Sequence, residues 1–232
     1  MFDLALISII SYLLGSIPFS YLIAKAYGKN LFEIGSRNIG AANVYRATGK
    51  PESFIFASIG DIGKGALAIF LAQKLGFLGL HLPTTLLAFG EAPNLILAQA
   101  LAGFFVVAGH NWPIFLKFKG GRGLASLLGV LLVLNWRVIF VIFAVLLFFI
   151  ILTELIMKKK IELKGGIKEK FKSLFSIFIS QVLGRVIGMV AAVILVYLLY
   201  PQVFTIALGA TILAGIKHVK RTKEFLKKNA TK

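Results

Sequence analysis

The 232-residue chain is 58% hydrophobic with a mean hydropathy of +0.89, and reads as an all-α polytopic membrane protein with room for about six to eight helices at ~20 residues per span. It has no cysteine, which excludes disulfides, thiolate nucleophiles and Cys-ligated metals. A formal charge of +17 does not imply nucleic acid, because the Lys and Arg residues flank apolar runs and form no soluble basic domain; membrane lipids are the expected surroundings.

The first apolar run, residues 4–24, carries Gly15, Ser16 and Pro18 and is followed by Lys25 and Lys29. The positive-inside rule places Met1 outside and the far end of this run at the cytoplasm. Met1-Phe2-Asp3-Leu4 has no basic n-region and no small-x-small cleavage site follows, so the run is expected to stay as a span. Residues 54–75 lead outward to a loop with Gly76, Gly79, His81 and Pro83, and residues 95–108 return. Residues 84–94, with Glu91 and Pro93, either lengthen that third helix or lie at the interface. Residues 124–134 are short for a span and turn at Asn135-Trp136-Arg137 before a long apolar helix over 138–157. A lysine-rich cytoplasmic loop insertion covers about residues 158–173, and helices over 174–199 and 203–216 flank a turn at Tyr200-Pro201-Gln202.

These segments predict one membrane domain over residues 1–232 with about seven helices, N-terminus outside and C-terminus cytoplasmic, since only Lys74 and Arg137 fall near the outer side. The expected location is the cell inner (plasma) membrane, with the polar site facing the cytoplasm. No inverted repeat of the transporter kind is visible.

Three cationic segments then share the cytoplasmic face. The first, residues 35–46, offers Ser36, Asn38, Asn43 and Arg46 as donors, and Arg46 can grip a phosphate with two parallel hydrogen bonds. The second runs from Gly109-His110 to Lys119-Gly120-Gly121-Arg122-Gly123 and ends where a helix starts, which favours an anion at the backbone N–H groups. It lacks the Gly-Lys-Ser/Thr ending and the strand of a Walker A loop. The third begins at Lys217-His218. Asp61 and Lys64 lie three apart on one helical face and can pair. His110 and His218 can each act as acid, base or donor, and neither has a second ligand at metal spacing, so no metal is expected. The His-x4-Asp pair of the common glycerolipid acyltransferases is missing, because Leu86, Phe115 and Lys223 stand five beyond the three histidines. Acyl transfer here would depend on positioning and charge stabilisation.

Leu14-Gly15-Ser16-Ile17-Pro18-Phe19, the 35–50 segment, Asp61-Ile62-Gly63-Lys64-Gly65 and the 109–123 segment resemble, in the same order, the bacterial acyl-phosphate:glycerol-3-phosphate acyltransferase family (PlsY). The resemblance covers most of residues 1–135 and implies a seven-helix membrane enzyme. Such an enzyme moves an acyl group from acyl-phosphate to the 1-hydroxyl of glycerol 3-phosphate, giving lysophosphatidic acid and phosphate without a cofactor. By this resemblance Ser36, Arg46, Arg122 and His218 are the catalytic candidates. Asn38, Asn43, Lys64, His110, Lys119, Gly120, Gly121 and Gly123 are the substrate-binding ones. The chain departs from the family pattern at Arg37, where a glycine is usual, at Ala42 for threonine, at Arg122 for lysine, and at Arg221 for asparagine. The alternatives are a transporter or binding protein for a phosphorylated metabolite, which would need polar groups along a path across the membrane whereas these cluster on one face, and a noncatalytic paralogue, which Arg37 and the altered third segment suggest.

Overall fold

The computed structural model describes residues 2–77, 93–156, 166 and 183–230, and the described residues are helical with connecting turns. The expected 158–173 loop falls outside them apart from Gly166, as do residues 78–92. Four stretches are long and apolar enough to cross a membrane, Leu4–Ala26, Pro51–Lys74, Leu95–Leu116 and Leu124–Thr153, and two shorter apolar helices follow among the described residues.

The first run is broken. Helix α1 (Phe2–Ser16) stops because Pro18 has no N–H to continue the ladder, and α2 (Phe19–Ala26) restarts after it. Helix α2 ends in a Schellman turn: Gly28 takes φ +67°, its N–H bonds Lys25 O at 2.9 Å, and the Lys29 N–H bonds Ala24 O at 2.9 Å. Inside the first cationic segment lies a short helix not anticipated from the sequence, α3 (Ala41–Thr48), closed by Gly49 at φ +70°. Pro51 opens α4 (Pro51–Phe77), where its missing N–H costs nothing. Helix α5 (Pro93–Asn111) takes in the last of the ambiguous residues, and a 3-10 turn, Ile114–Leu116, follows it.

The expected turn near residue 135 is present as one extended residue, Asn135 at φ −163° and ψ 102°, within α6 (Leu124–Ile156). Helix α7 (Leu183–Leu199) and helix α8 (Pro201–Ala230) meet at Tyr200, whose N–H bonds Val196 O at 2.8 Å. The third cationic segment, which begins at Lys217, continues α8 to Ala230.

The chain forms two compact units. One comprises residues 1–136 and 202–217 and contains the first two cationic segments; the other comprises residues 137–201 and 218–232. In the first unit helices approach through glycine. A Cβ on Gly15 would overlap the Val106 carbonyl, and one on Gly109 would overlap the Tyr12 carbonyl, so α1 and α5 touch backbone to backbone in both directions. The Tyr12 hydroxyl clasps the same pair by donating to Trp112 O at 2.7 Å. Helices α4 and α6 meet likewise at Gly65 and Gly129. Ile9, Leu22, Ile55, Phe56, Ile59 and Phe70 remain exposed, the apolar surface that lipid covers. In the second unit Gly184 and Gly188 of α7 face Thr153, Phe149 and Leu146 of α6.

Candidate active site

The first cationic segment is wound around one side chain. Asn43 is 1% exposed; its Oδ1 accepts the Ser36 N–H at 2.9 Å, and its Nδ2 donates to Ile34 O at 3.0 Å and Leu31 O at 3.3 Å. Gly35, at φ +59°, has no room for a Cβ against Asn43 Oδ1, and such an atom would lie 3.6 Å from Arg46 Cδ. Ser36 and Arg46, both half-buried, are therefore held at one edge of the same loop. Beneath it Leu31, Ile39 and Val44 pack with Ala24 of α2 and Ala57 of α4 in a small apolar core, which fixes the loop to the spans. Asn38 and Lys119 accompany the site as a half-buried and an exposed side chain respectively.

Arg37 occupies φ +53°, the left-handed region in which an L side chain is strained and glycine is not. The resemblance implies a glycine at this position, and this chain places an arginine in the backbone conformation that glycine would adopt without strain. Arg37→Gly is expected to raise stability by about 1 kcal/mol, read as a higher Tm of the detergent-solubilised protein. A lower Tm would show that the exposed guanidinium more than offsets the strain.

The second segment folds back on the end of α5. The Gly121 N–H bonds His110 O at 2.9 Å, and a Cβ on Gly121 would overlap both His110 Nε2 and the Ile39 carbonyl. The glycine turn therefore abuts the first cationic loop, and two segments some eighty residues apart form one site. A Cβ on Gly120 would overlap His110 O and Pro113 Cδ, so no other residue fits there either. Gly123, at φ +78°, accepts the Leu127 N–H at 2.8 Å and opens α6, whose first N–H groups lie at the turn. Arg122 is half-buried within it. Before the turn, Lys117 and Phe118 take φ +50° and +62°, consecutive strained residues of the kind that concentrate at functional sites.

Under this turn sits a buried polar hub. Asp61 of α4, 1% exposed, accepts from the Ser20 hydroxyl at 2.6 Å, pairs with Lys64 Nζ at 2.9 Å and lies 3.5 Å from His110 Nδ1. Lys64 Nζ also donates to Ile17 O at 2.8 Å, and the Ser126 hydroxyl of α6 donates to Asp61 O at 3.1 Å. The Asn111 Nδ2 donates to Leu213 O at 3.0 Å and Lys217 Nζ stands 4.7 Å from the centre of the Trp112 ring, so the start of the third segment reaches the end of α5.

Two expected substrate ligands are engaged by other groups of the protein. The Lys64 side chain is 2% exposed, pairs with Asp61 and donates to Ile17 O. The Asn43 amide is taken up by its own loop, so it shapes the site from beneath. His110 is at the site but buried, against Gly121. The side chain of His218 lies outside the described residues. Among the described residues no three of His, Asp and Glu come together as a metal site would require. Ser20, Ser126 and Asn111 escaped the sequence reading, since a lone serine or asparagine in an apolar run carries no spacing signal. Asp61 was visible only as a partner of Lys64.

A family model described as glycerol-3-phosphate acyltransferase matches residues 5–165. The chain belongs to this family. Within it, glycerol-3-phosphate acyltransferase 3 of Dehalococcoides mccartyi (strain CBDB1) is 46% identical over 128 residues, 54% of this chain and 56% of the relative. The enzyme of Jannaschia sp. (strain CCS1) is 42% identical over 136 residues, 58% of each chain, so the match spans little more than half the length of these curated relatives. The glycerol-3-phosphate acyltransferase of Wolbachia pipientis subsp. Culex pipiens is 34% identical over 223 residues, 95% of this chain and 94% of the relative. A crystal structure of PlsY, an integral membrane glycerol 3-phosphate acyltransferase in its glycerol 3-phosphate form, superposes with a TM-score of 0.68 at 26% identity, covering 97% of this chain and 92% of that one. This family member is accordingly an all-α integral membrane protein.

Proposed function

We propose that this family member transfers a fatty acyl group from acyl-phosphate to the 1-hydroxyl of glycerol 3-phosphate, giving lysophosphatidic acid and phosphate. The observation that carries the reading is the abutment of Gly121 on the Ile39 carbonyl, which joins two anion-binding segments into one site able to hold two phosphates. The name of the crystallised neighbour supports glycerol 3-phosphate as one of them. Arg46, with Ser36 and Asn38, holds one phosphate; Arg122, Lys119 and the amides of Gly120, Gly121 and Gly123 hold the other.

With both held, the glycerol oxygen attacks the acyl carbonyl carbon and the bond from that carbon to the phosphate oxygen breaks. The hydroxyl proton passes to the departing phosphate, or first to His218. Acyl-phosphate is already activated, so approximation and charge stabilisation suffice without a covalent intermediate. The charge distribution supports seven crossings, N-terminus outside, and a site opening to the cytoplasm at the inner membrane, where the acyl chain stays in lipid.

The test is turnover of acyl-phosphate and glycerol 3-phosphate by the purified protein, with lysophosphatidic acid and phosphate both measured. Arg46→Ala is expected to reduce kcat/KM by about 100-fold, the scale of losing a preorganised charged donor. Retained glycerol 3-phosphate binding with no turnover, or its flux through proteoliposomes, would sink the enzyme reading. A large loss of kcat with unchanged KM in His218→Gln would assign the proton to the histidine.

A further inference from the structure

We infer that the Asp61 carboxylate is a positioning group for the 120–123 turn, acting through His110, while the backbone carbonyl of the same residue takes the Ser126 hydroxyl at the start of α6. The inference rests on the acyltransferase reading for the identity of the anion, and on geometry for the rest. Asp61 does not touch the turn, yet its two ends are both tied to it. On the near side, the Asp61 carboxylate lies 3.5 Å from His110 Nδ1, and no hydrogen bond to another described residue satisfies that buried nitrogen. With Nδ1 toward the carboxylate, the opposite edge of the ring, Nε2, fills the space that a Cβ of Gly121 would need. The same histidine accepts the Gly121 N–H through its carbonyl at 2.9 Å. On the far side, Ser126 stands in the first turn of α6, just beyond Gly123, and its hydroxyl donates to the Asp61 carbonyl at 3.1 Å.

One residue in the middle of a membrane-spanning helix thus sets the ring that supports the turn and the helix start that follows it. Ser20 locks the second carboxylate oxygen at 2.6 Å, which leaves Asp61 a single rotamer in which to do so. Lys64 has a separate task, since the ion pair neutralises the carboxylate in a low-dielectric interior. A residue kept only to balance Lys64 would need neither the histidine contact nor the bond from Ser20.

The two roles separate in the double variant Asp61→Asn/Lys64→Met, which removes both charges and leaves no unpaired ion. Purified protein in nanodiscs is titrated with inorganic phosphate, and its KM values are measured with palmitoyl phosphate and glycerol 3-phosphate. The expected result is a roughly 10-fold loss of phosphate affinity and a similar rise in KM for one phosphorylated substrate only, the scale of a sub-ångström misplacement of a binding group. Ser20→Ala, which frees the second carboxylate oxygen and keeps the ion pair intact, shows the same one-sided shift at about 3-fold, so the inference is tested even if the double variant does not fold. Wild-type phosphate affinity and KM values in both variants overturn it and reduce Asp61 to a counter-ion. A wild-type protein without turnover, whose phosphate affinity still falls in the variants, overturns the acyltransferase reading and leaves this inference standing.

Discussion

Gly121→Ala is expected to reduce turnover by about 100-fold or more, because an ångström of displacement at a group proposed to hold substrate costs on that scale. The added Cβ meets His110 Nε2 on one side and the Ile39 carbonyl on the other. Neither can yield cheaply, for His110 is packed against Asp61 and Ile39 belongs to the apolar core under the first loop. The turn must therefore move away from the Ser36 and Arg46 edge, which on the proposed function separates the two phosphates. Gly63→Ala in α4 is the control, since a Cβ there meets nothing within 4 Å and turnover should be unchanged. Equal activity in both variants would show that the Gly121 contact does not govern the spacing of the site.

Lys64→Met is expected to be the most damaging change to stability, at about 3–5 kcal/mol, because it leaves the Asp61 carboxylate buried without its counter-ion. The Ser20 hydroxyl bond remains, but one neutral donor does not replace an ammonium group. Thermal unfolding in detergent reads the loss. An unchanged Tm accompanied by a large rise in KM would return Lys64 to the role of substrate ligand that its motif first suggested.

The apolar segments and the cationic turns between them were legible because each is written locally. Asn135-Trp136-Arg137 marks the extended residue in α6, whereas the break at Pro18 was not expected, since residues 4–24 read as one apolar span. The helix hidden in the first cationic segment was not legible, since Ala41–Thr48 is short and polar and is kept by packing on Leu31, Val44 and Ala57. The polar hub escaped for a different reason. A local His–Asp spacing is absent, yet His110 and Asp61 meet across forty-nine positions because α4 and α5 pack side by side. Spacing rules describe one helix face, and this pair is made by two helices.

The sequence by itself determined that the chain lives in a membrane and where its glycine-rich cationic segments lie between the apolar runs. These follow from hydropathy and from fixed charge, neither of which needs a partner across the fold. Only the tertiary structure decided which of the polar side chains are taken up by other groups of the protein. Asn43 and Lys64 carry donors suited to phosphate, but burial and competing partners turn them inward, whereas the Gly121 amide turn is held beside the Arg46 loop. A side chain's chemistry is encoded in its residue type; whether that chemistry reaches a ligand is set by what packs against it.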